Sequence, residues 1–281
     1  MPTDMQEIAV VTDSTADLPA ALAEEHQITV VPAILTVNGQ SFTDGRDFKR
    51  DELYNAMDTM EDVPTTAIPS PMTFVHAYRT LQERGVKQIL SIHVSHKLSG
   101  MLNCANQAAR GIGVPVHLID SGQVSLGLGF QALELASRAR EGASLAQLLA
   151  LANQLKEKTR TVAGIDSLEF LRRSGRVSWL KAEIGLRLRL RLILEVVDGD
   201  VLRHSIVRTR KQVLQRLSAI AETWQPIKRL AVLHTGIPAL ADELVQSLLP
   251  CSRFAPFPVD VTTVIGAHVG PRSIGVAGLI E

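Results

Sequence analysis

Only two cysteines occur in 281 residues, Cys104 in a helical pattern and Cys251 before Ser252, with no CxxC spacing. Neither a disulfide framework nor a zinc site is therefore indicated. Charge has no excess of either sign: 29 basic residues balance 29 acidic ones, which argues against a partner bound mainly through phosphates or anionic headgroups. Aromatic residues, at 4%, are too few for a surface that stacks on bases. No apolar run reaches the ~18 residues that cross a bilayer. Asp4 and Glu7 stand where a secretory signal would be basic and then apolar. A cytoplasmic protein with no integral membrane segment is expected. HxxxH, HExxH, GxSxG and P-loop patterns are missing as well, which removes a metal centre, a hydrolase elbow and a nucleotide cradle. Gly127-Leu128-Gly129, inside a helical pattern, is too short for a dinucleotide fingerprint. No cofactor is expected.

What is present is a large apolar fraction, 46%, enough to bury the core of one large domain or two modest ones. Ile8 to Val11 reads as a strand ending in the polar Thr12-Asp13-Ser14-Thr15, and Pro19 to His26 reads as a helix. This grammar recurs. Ile28 to Val37 is extended and turns at Asn38-Gly39 towards Gln40 to Phe42. Lys49 to Met60 is helical, and Ser70-Pro71 opens a helix to about Arg84. Gln88 to Val94 is a strand feeding the helical pattern Met101 to Arg110, and Val116 to Ile119 is a strand before a helix from Val124 to Arg140. Such alternation specifies a parallel sheet covered on both faces, whose ligands gather at the carboxyl ends of its strands. The polar tips Asp13-Ser14, Ser95 to Ser99 and Asp120-Ser121 are thus expected around one crevice.

Ser144 opens a helix ending at Lys156-Glu157-Lys158, the expected boundary between an N-terminal α/β domain, 1–158, with a parallel sheet and a C-terminal α+β domain, 159–281. Beyond it, Leu192 to Val197 and Val201 to Val207 form a hairpin around Asp198-Gly199-Asp200. A helix from Lys211 to Thr223, a strand from Arg229 to Leu233, a helix from Pro238 to Leu249 and a strand from Asp260 to Val264 follow.

The richest segment for function is Ser95-His96-Lys97-Leu98-Ser99-Gly100, between a strand and a helix. Free N–H groups of the first helical turn, the positive end of the dipole and the hydroxyls would converge on a carboxylate or a phosphate. Equally, one serine caps the helix and the other is solvated. Thr65-Thr66 lies in a loop stiffened by Pro64, Pro69 and Pro71, so its hydroxyls lose little entropy on binding, whereas Ser70 reads as a plain helix cap. His268, between Gly266 and Gly270, is a loop histidine that either donates to an oxyanion or is a bystander. Arg176 follows the helix breaker Gly175 and either compensates a helix C-terminus or clamps an anion. Arg208 belongs to a second basic cluster, Arg208-Thr209-Arg210-Lys211. Leu186 to Leu192 alternates leucine with Arg187, Arg189 and Arg191, either a strand with a basic face or, by propensity, a helix. Hydroxyls, one histidine and arginines, without a nucleophile paired to a base, describe a binder of an anionic headgroup better than a catalyst.

Six segments in order along the chain resemble motifs of the DegV family of bacterial lipid-binding proteins. They are Val11 to Pro19, Thr66-Ala67-Ile68-Pro69-Ser70, Ser95 to Gly100, Ile119-Asp120-Ser121, Arg172 to Val177 and Gly266 to Pro271. The resemblance implies two domains holding a long-chain fatty acid between them. Its carboxylate would be bonded by Thr66 and by Ser95 or Ser99, with Gly100 and His268 beside them. In the branch that forms the carrier subunit of a fatty-acid kinase, it further implies presentation of the carboxylate to an ATP-binding subunit, with Arg176 and Arg208 in docking or phosphotransfer. No catalytic residue of the chain's own and no nucleic-acid partner follow from it. The chain departs from the family at His96 and Met101, where serine and threonine are usual, at Ser174, where glycine is usual, and at Val269 and Arg272, which replace threonine and glycine. Arg191-Leu192 also stands where a proline is common. Two other readings compete. One is an enzyme acting on a small carboxylated or phosphorylated metabolite with His268 as acid or base. The other is a nucleic-acid-binding regulator using Arg187, Arg189 and Arg191, the least favoured by the charge balance.

Overall fold

A computed structural model describes residues 7–60, 62–177, 179 and 190–281. From the N-terminus run β1 (Ile8–Asp13), α1 (Ala20–Glu25), β2 (Thr29–Val31), β3 (Ile34–Val37), β4 (Gln40–Thr43), α2 (Arg50–Ala56) and β5 (Thr65–Ala67). Next come α3 (Pro71–Glu83), β6 (Gln88–His93), α4 (Met101–Ala109), β7 (Val116–Asp120), α5 (Leu126–Arg140) and α6 (Leu145–Lys158). They are followed by β8 (Thr159–Ile165), α7 (Leu168–Ser174), β9 (Arg191–Val197), β10 (Asp200–Val207) and α8 (Arg210–Glu222). The chain closes with β11 (Ile227–His234), α9 (Pro238–Leu248), β12 (Phe257–Asp260), α10 (Thr263–Val269) and β13 (Ile274–Ile280). Arg187 and Arg189 of the alternating run lie outside the described residues. Arg191 opens β9 and pairs with Asp166 at 2.7 Å.

The fold is mixed α/β, with the parallel sheet that the alternation implied. Its order is β2-β1-β6-β7, and every neighbouring pair is parallel. β1 is buried along its whole length, as a strand covered on both faces must be. A second sheet has the order β10-β9-β8-β13-β11-β12 and is antiparallel except between β11 and β12. A small antiparallel sheet, β4-β3-β5, stands beside them.

Two central strands of the second sheet, β8 and β13, escaped the sequence reading. Gly164 on β8 and Gly275 and Gly278 on β13 blur their apolar pattern, yet each is packed so closely that a Cβ would meet Val213, the Val162 carbonyl or Trp224. The strand expected from Asp260 to Val264 is corrected. β12 ends at Asp260, the chain turns through Val261 and Thr262, and Val264 belongs to α10.

α5 is the keystone between the sheets. Leu126 to Ala136 is buried without a break, and a helix buried all round carries no amphipathic stripe. Gly127 brings it against Thr161 and Gln123, and Gly129 brings it against the Ala16 carbonyl. These glycines therefore serve close packing. Residues of β11, β12 and β13, among them Leu233, Val259 and Leu279, join the same core as β1 and β6. The tip of the β9–β10 hairpin docks on the loops of the parallel sheet. Gly199 N–H donates to Gly122 at 2.8 Å, Asp198 pairs with Lys156 at 2.6 Å, and Asp200 pairs with Lys97 at 2.8 Å.

Candidate functional site

Between the two sheets lies a cavity of about 230 Å³. Its walls are mostly aliphatic, including Val94, Leu98, Leu194, Val196, Leu233 and Val264. Thr15, Val94, Ser99 and Ser125 reach it from the carboxyl ends of β1, β6 and β7, the edge where parallel sheets place their ligands. Asp120 and Ser121 are not among the lining residues. Asp120 accepts from His96 Nδ1, and the Ser121 hydroxyl donates to the Gln123 carbonyl at 3.2 Å.

Thr66 and His268 meet at the cavity, with Oγ1 and Nε2 2.9 Å apart. Thr66 is in β5 rather than a loop, held opposite Leu35 of β3. His268 is likewise corrected from a loop residue to the last turn of α10. Its flanking glycines fit the protein, not a ligand: a side chain on Gly266 would strike Tyr54, and one on Gly270, at φ +78, would strike Phe170. α10 is pinned at its start by the Tyr54 hydroxyl, which donates to the Val261 carbonyl at 2.6 Å, and by Thr263, which donates to Asp44 at 2.7 Å.

Burial, reinforced by the Arg176 guanidinium, brings the His268 imidazole down to about 4. At neutral pH the ring is uncharged, one nitrogen donating and the other accepting. Ser99 accepts from the Met101 N–H at 3.3 Å, which leaves its own proton to offer. Gly100 lines the cavity beside it at φ −78, where a side chain would make only ordinary contact with Ile68. Arg176 lines both the cavity and an adjoining cleft of about 470 Å³ that also includes Lys97 and Asp200. Thr66, Ser99, Gly100, His268 and Arg176 are thus brought together.

Ser95 and Arg208 are not. Ser95 is fully buried, accepts from Lys97 N–H at 3.3 Å and packs against Gly199, outside the cavity lining. Arg208 is exposed, and its carbonyl accepts from Arg191 Nη1 at 2.9 Å. Ser70 occupies the N-cap position of α3, but its side chain makes no capping bond.

Two buried polar clusters behind the cavity wall were not anticipated. Asp13 accepts from the backbone and hydroxyl of Thr15, from Val94 N–H and from His93 Nδ1 at 2.9 Å. His93 Nε2 lies 2.7 Å from Ser91 Oγ, which lies 2.7 Å from the Tyr78 hydroxyl. In a neutral imidazole the donors then run one way, from Tyr78 to Ser91 to His93 to Asp13. In the second cluster, Asp17 accepts from Ser125 Oγ and from Thr262 N–H at 2.7 Å, linking the start of α5 to the start of α10. Burial raises the Asp17 carboxyl to about 6 despite Arg50 and these donors. Asp13 and Asp17 both fall in the first motif segment, but sequence alone does not reveal that they point inward.

The substituted positions are accommodated locally. Arg272 sits at φ +60, where glycine is at ease, and offsets that with ion pairs to Asp58 and, at 3.3 Å, to Asp166. The Ser174 hydroxyl donates to the Leu171 carbonyl at 2.7 Å and accepts from Arg176 N–H at 3.2 Å.

These features define a mixed α/β protein with a mostly apolar cavity between two sheets, in whose wall a hydroxyl and a neutral histidine meet. The chain belongs to the DegV family, whose model, described as "uncharacterised protein, DegV family", matches residues 7–281. A DegV domain-containing protein of Streptomyces coelicolor, SCO2569, is 35% identical over 277 residues, covering 96% of this chain and 97% of that protein. One from Staphylococcus aureus, SACOL1460, is 34% identical over 274 residues, 96% and 98% of the two chains. Among solved structures, a DegV family protein from Thermus thermophilus, described for fatty-acid binding, superposes with a TM-score of 0.90 at 29% identity, covering 98% of this chain and 100% of that one. DegV of Bacillus subtilis, described as a fatty acid binding protein, gives 0.87 at 28% identity over 98% and 99%. Among the described residues, no helix is long and apolar enough to cross a membrane, and no group of three or more His, Cys, Asp or Glu is placed to hold a metal ion.

Proposed function

We propose that this protein binds a long-chain fatty acid, with the acyl chain in the cavity between the sheets and the carboxylate at Thr66, Ser99 and His268. The meeting of Thr66 and His268 in the wall of a mostly aliphatic cavity is the observation that carries the reading. With His268 Nε2–H donating to Thr66 Oγ1, the Thr66 and Ser99 hydroxyls keep their own protons for a carboxylate, without a second buried charge. Residues 1–158 and 159–281 act in this reading as two lobes around the ligand. Burying about 14 methylenes at about 0.8 kcal/mol each offers roughly 11 kcal/mol before ordering costs, enough for micromolar or tighter binding with few polar contacts. The free volume of about 230 Å³ is below the roughly 300–1,000 Å³ of small-molecule sites, so the aliphatic walls part as the chain enters.

The fatty acid is cargo in this reading. Its carboxylate is presented to the ATP-binding subunit of a fatty-acid kinase, with the exposed Arg176 and Arg208 as cationic contacts for docking or transfer. Native mass spectrometry of the purified protein tests the binding: an adduct with the mass of a long-chain fatty acid is expected. Protein that is repeatedly empty and unresponsive to added palmitate or oleate overturns it.

A further inference from the structure

β2 ends the parallel sheet, and among the described residues no strand pairs with the edge it turns away from β1. A cleft of about 990 Å³ runs along that edge. Gln27, Ile28, Thr29, Val30 and Pro32 all line it. Consecutive side chains of a strand point to opposite faces, so a space touching all of these lies against the edge of the strand rather than over one face. Leu18 and Ala23 form one side and Leu81 and Val86 the other, which makes a slot between α1 and α3. From Ile28 to Pro32 the edge is about 13 Å long, the span of about five residues of extended chain.

An open edge is a template for another strand, and proteins commonly blunt it by placing charge on the strand or by covering it. β2 carries no charge of its own: Thr29-Val30-Val31 is β-branched throughout and suited to pairing. Charge stands instead at the two ends of the slot. Asp44 N–H donates to the Ala33 carbonyl at 3.0 Å, which sets Arg46 and Arg50 by the carboxyl end of β2. Arg84, just before β6, stands at the amino ends of the strands. Among the described residues, the Arg46 and Arg84 guanidiniums form no salt bridge or hydrogen bond, and that of Arg50 donates to the Asp260 carbonyl. Two acidic residues also line the slot. Asp44 is 3% exposed and accepts from the Thr263 hydroxyl, so Glu24 is the exposed carboxylate set against three guanidiniums.

We infer that the slot receives an extended acidic segment of a partner protein, which adds as a strand to β2 while its carboxylates meet Arg46, Arg50 and Arg84. Main-chain hydrogen bonds supply the affinity in such an arrangement, and the side chains beside the edge select the sequence. Pairing of β2 with β2 of a second copy would bring the same guanidiniums in from both sides, which disfavours self-association at this edge. The inference is independent of the fatty-acid reading, because the slot and the cavity share no lining residue.

Three fluorescein-labelled peptides titrated against the full chain by fluorescence anisotropy test this: one alternating glutamate and valine, one alternating lysine and valine, and a backbone N-methylated copy of the first. The glutamate peptide should bind with a Kd below about 1 mM, and the other two should bind about 10-fold more weakly or not at all. Arg46→Ala and Arg84→Ala should each weaken the glutamate peptide by about 3-fold. The double variant Arg46→Glu, Arg84→Glu should prefer the lysine peptide; both positions are exposed, so its melting temperature should stay near that of the wild type. A glutamate peptide that fails to bind overturns the inference, as does one whose binding survives N-methylation or is unmoved by the single alanine variants. Sedimentation showing that the peptide displaces a second copy of the chain also overturns it, and assigns the slot to self-association.

Discussion

Replacing Asp17 by asparagine should make the protein more stable at neutral pH. Asp17 is 1% exposed, and its carboxyl is raised from 3.8 to about 6 mainly by burial. At about 1.4 kcal/mol per pKa unit, holding it ionised in the folded state costs about 3 kcal/mol relative to the unfolded chain. A group whose pKa is raised on folding contributes stability below the unfolded value of 3.8 and loses it as pH rises through about 6. His268 works in the opposite sense. Its folded pKa, about 4 against 6.5, gives a contribution that is present above 6.5 and lost as pH falls towards 4. The two partly cancel between pH 4 and 6.5 in the wild type. Asparagine at position 17 can still accept from Thr262 N–H and can donate to Ser125 Oγ, so the geometry is retained. Urea unfolding of both proteins from pH 4 to 7.5 should show the variant more stable by up to about 3 kcal/mol at pH 7.5, with the gap closing near pH 4. The variant alone should also lose stability on acidification from 6.5. A variant less stable than the wild type at pH 7.5 would refute the reasoning, because Asp17 would then be an anion that Arg50, Ser125 and Thr262 stabilise in excess of its burial.

Thr66→Val should weaken binding of palmitate or oleate by about 1–3 kcal/mol with little change in stability, and unchanged affinity would remove Thr66 from the headgroup contacts. Ser91→Ala, which strands Tyr78 and His93, should destabilise by about 1–3 kcal/mol in urea, and His93→Ala should do so more severely because it uncovers Asp13. Arg272→Gly should change stability by less than about 1 kcal/mol, since it relieves the strain at φ +60 as it removes the ion pairs. Arg272→Ala keeps the strain and loses the pairs, and should melt below the glycine variant; the reverse order would show that backbone strain is minor there.

The parallel sheet was legible because β1, β6 and β7 are short apolar runs ended by polar tips, and the β9–β10 hairpin was legible through Asp198-Gly199. β8 and β13 were not, since glycines demanded by neighbours across the sheet interrupt their periodicity. α10 misled for a different reason: the β-branched Val261 to Val264 looks like the end of a strand and Gly266 and Gly270 give the rest the look of a loop, whereas the contacts of Tyr54 and Thr263 that pin the start of the helix join distant parts of the chain. Thr66 and His268 could be picked out as residue types, but their meeting joins a strand of the small sheet to a helix some 200 positions later, which no local pattern encodes. Ser95 and Ser99 looked equivalent in the sequence. One turn of chain separates a hydroxyl facing the cavity from one facing Gly199.

Asp13, His93 and Ser91 reproduce the order of acid, imidazole and hydroxyl that defines a hydrolytic triad, with ordinary hydrogen-bond distances between His93 and each partner. All three are fully shielded from solvent, and Ser91 is backed by Tyr78. Reactivity depends on a path by which a carbonyl can reach the oxygen, and here the oxygen is sealed within the parallel sheet, so the same geometry acts as a brace that holds Asp13, and through it Thr15, against the cavity wall.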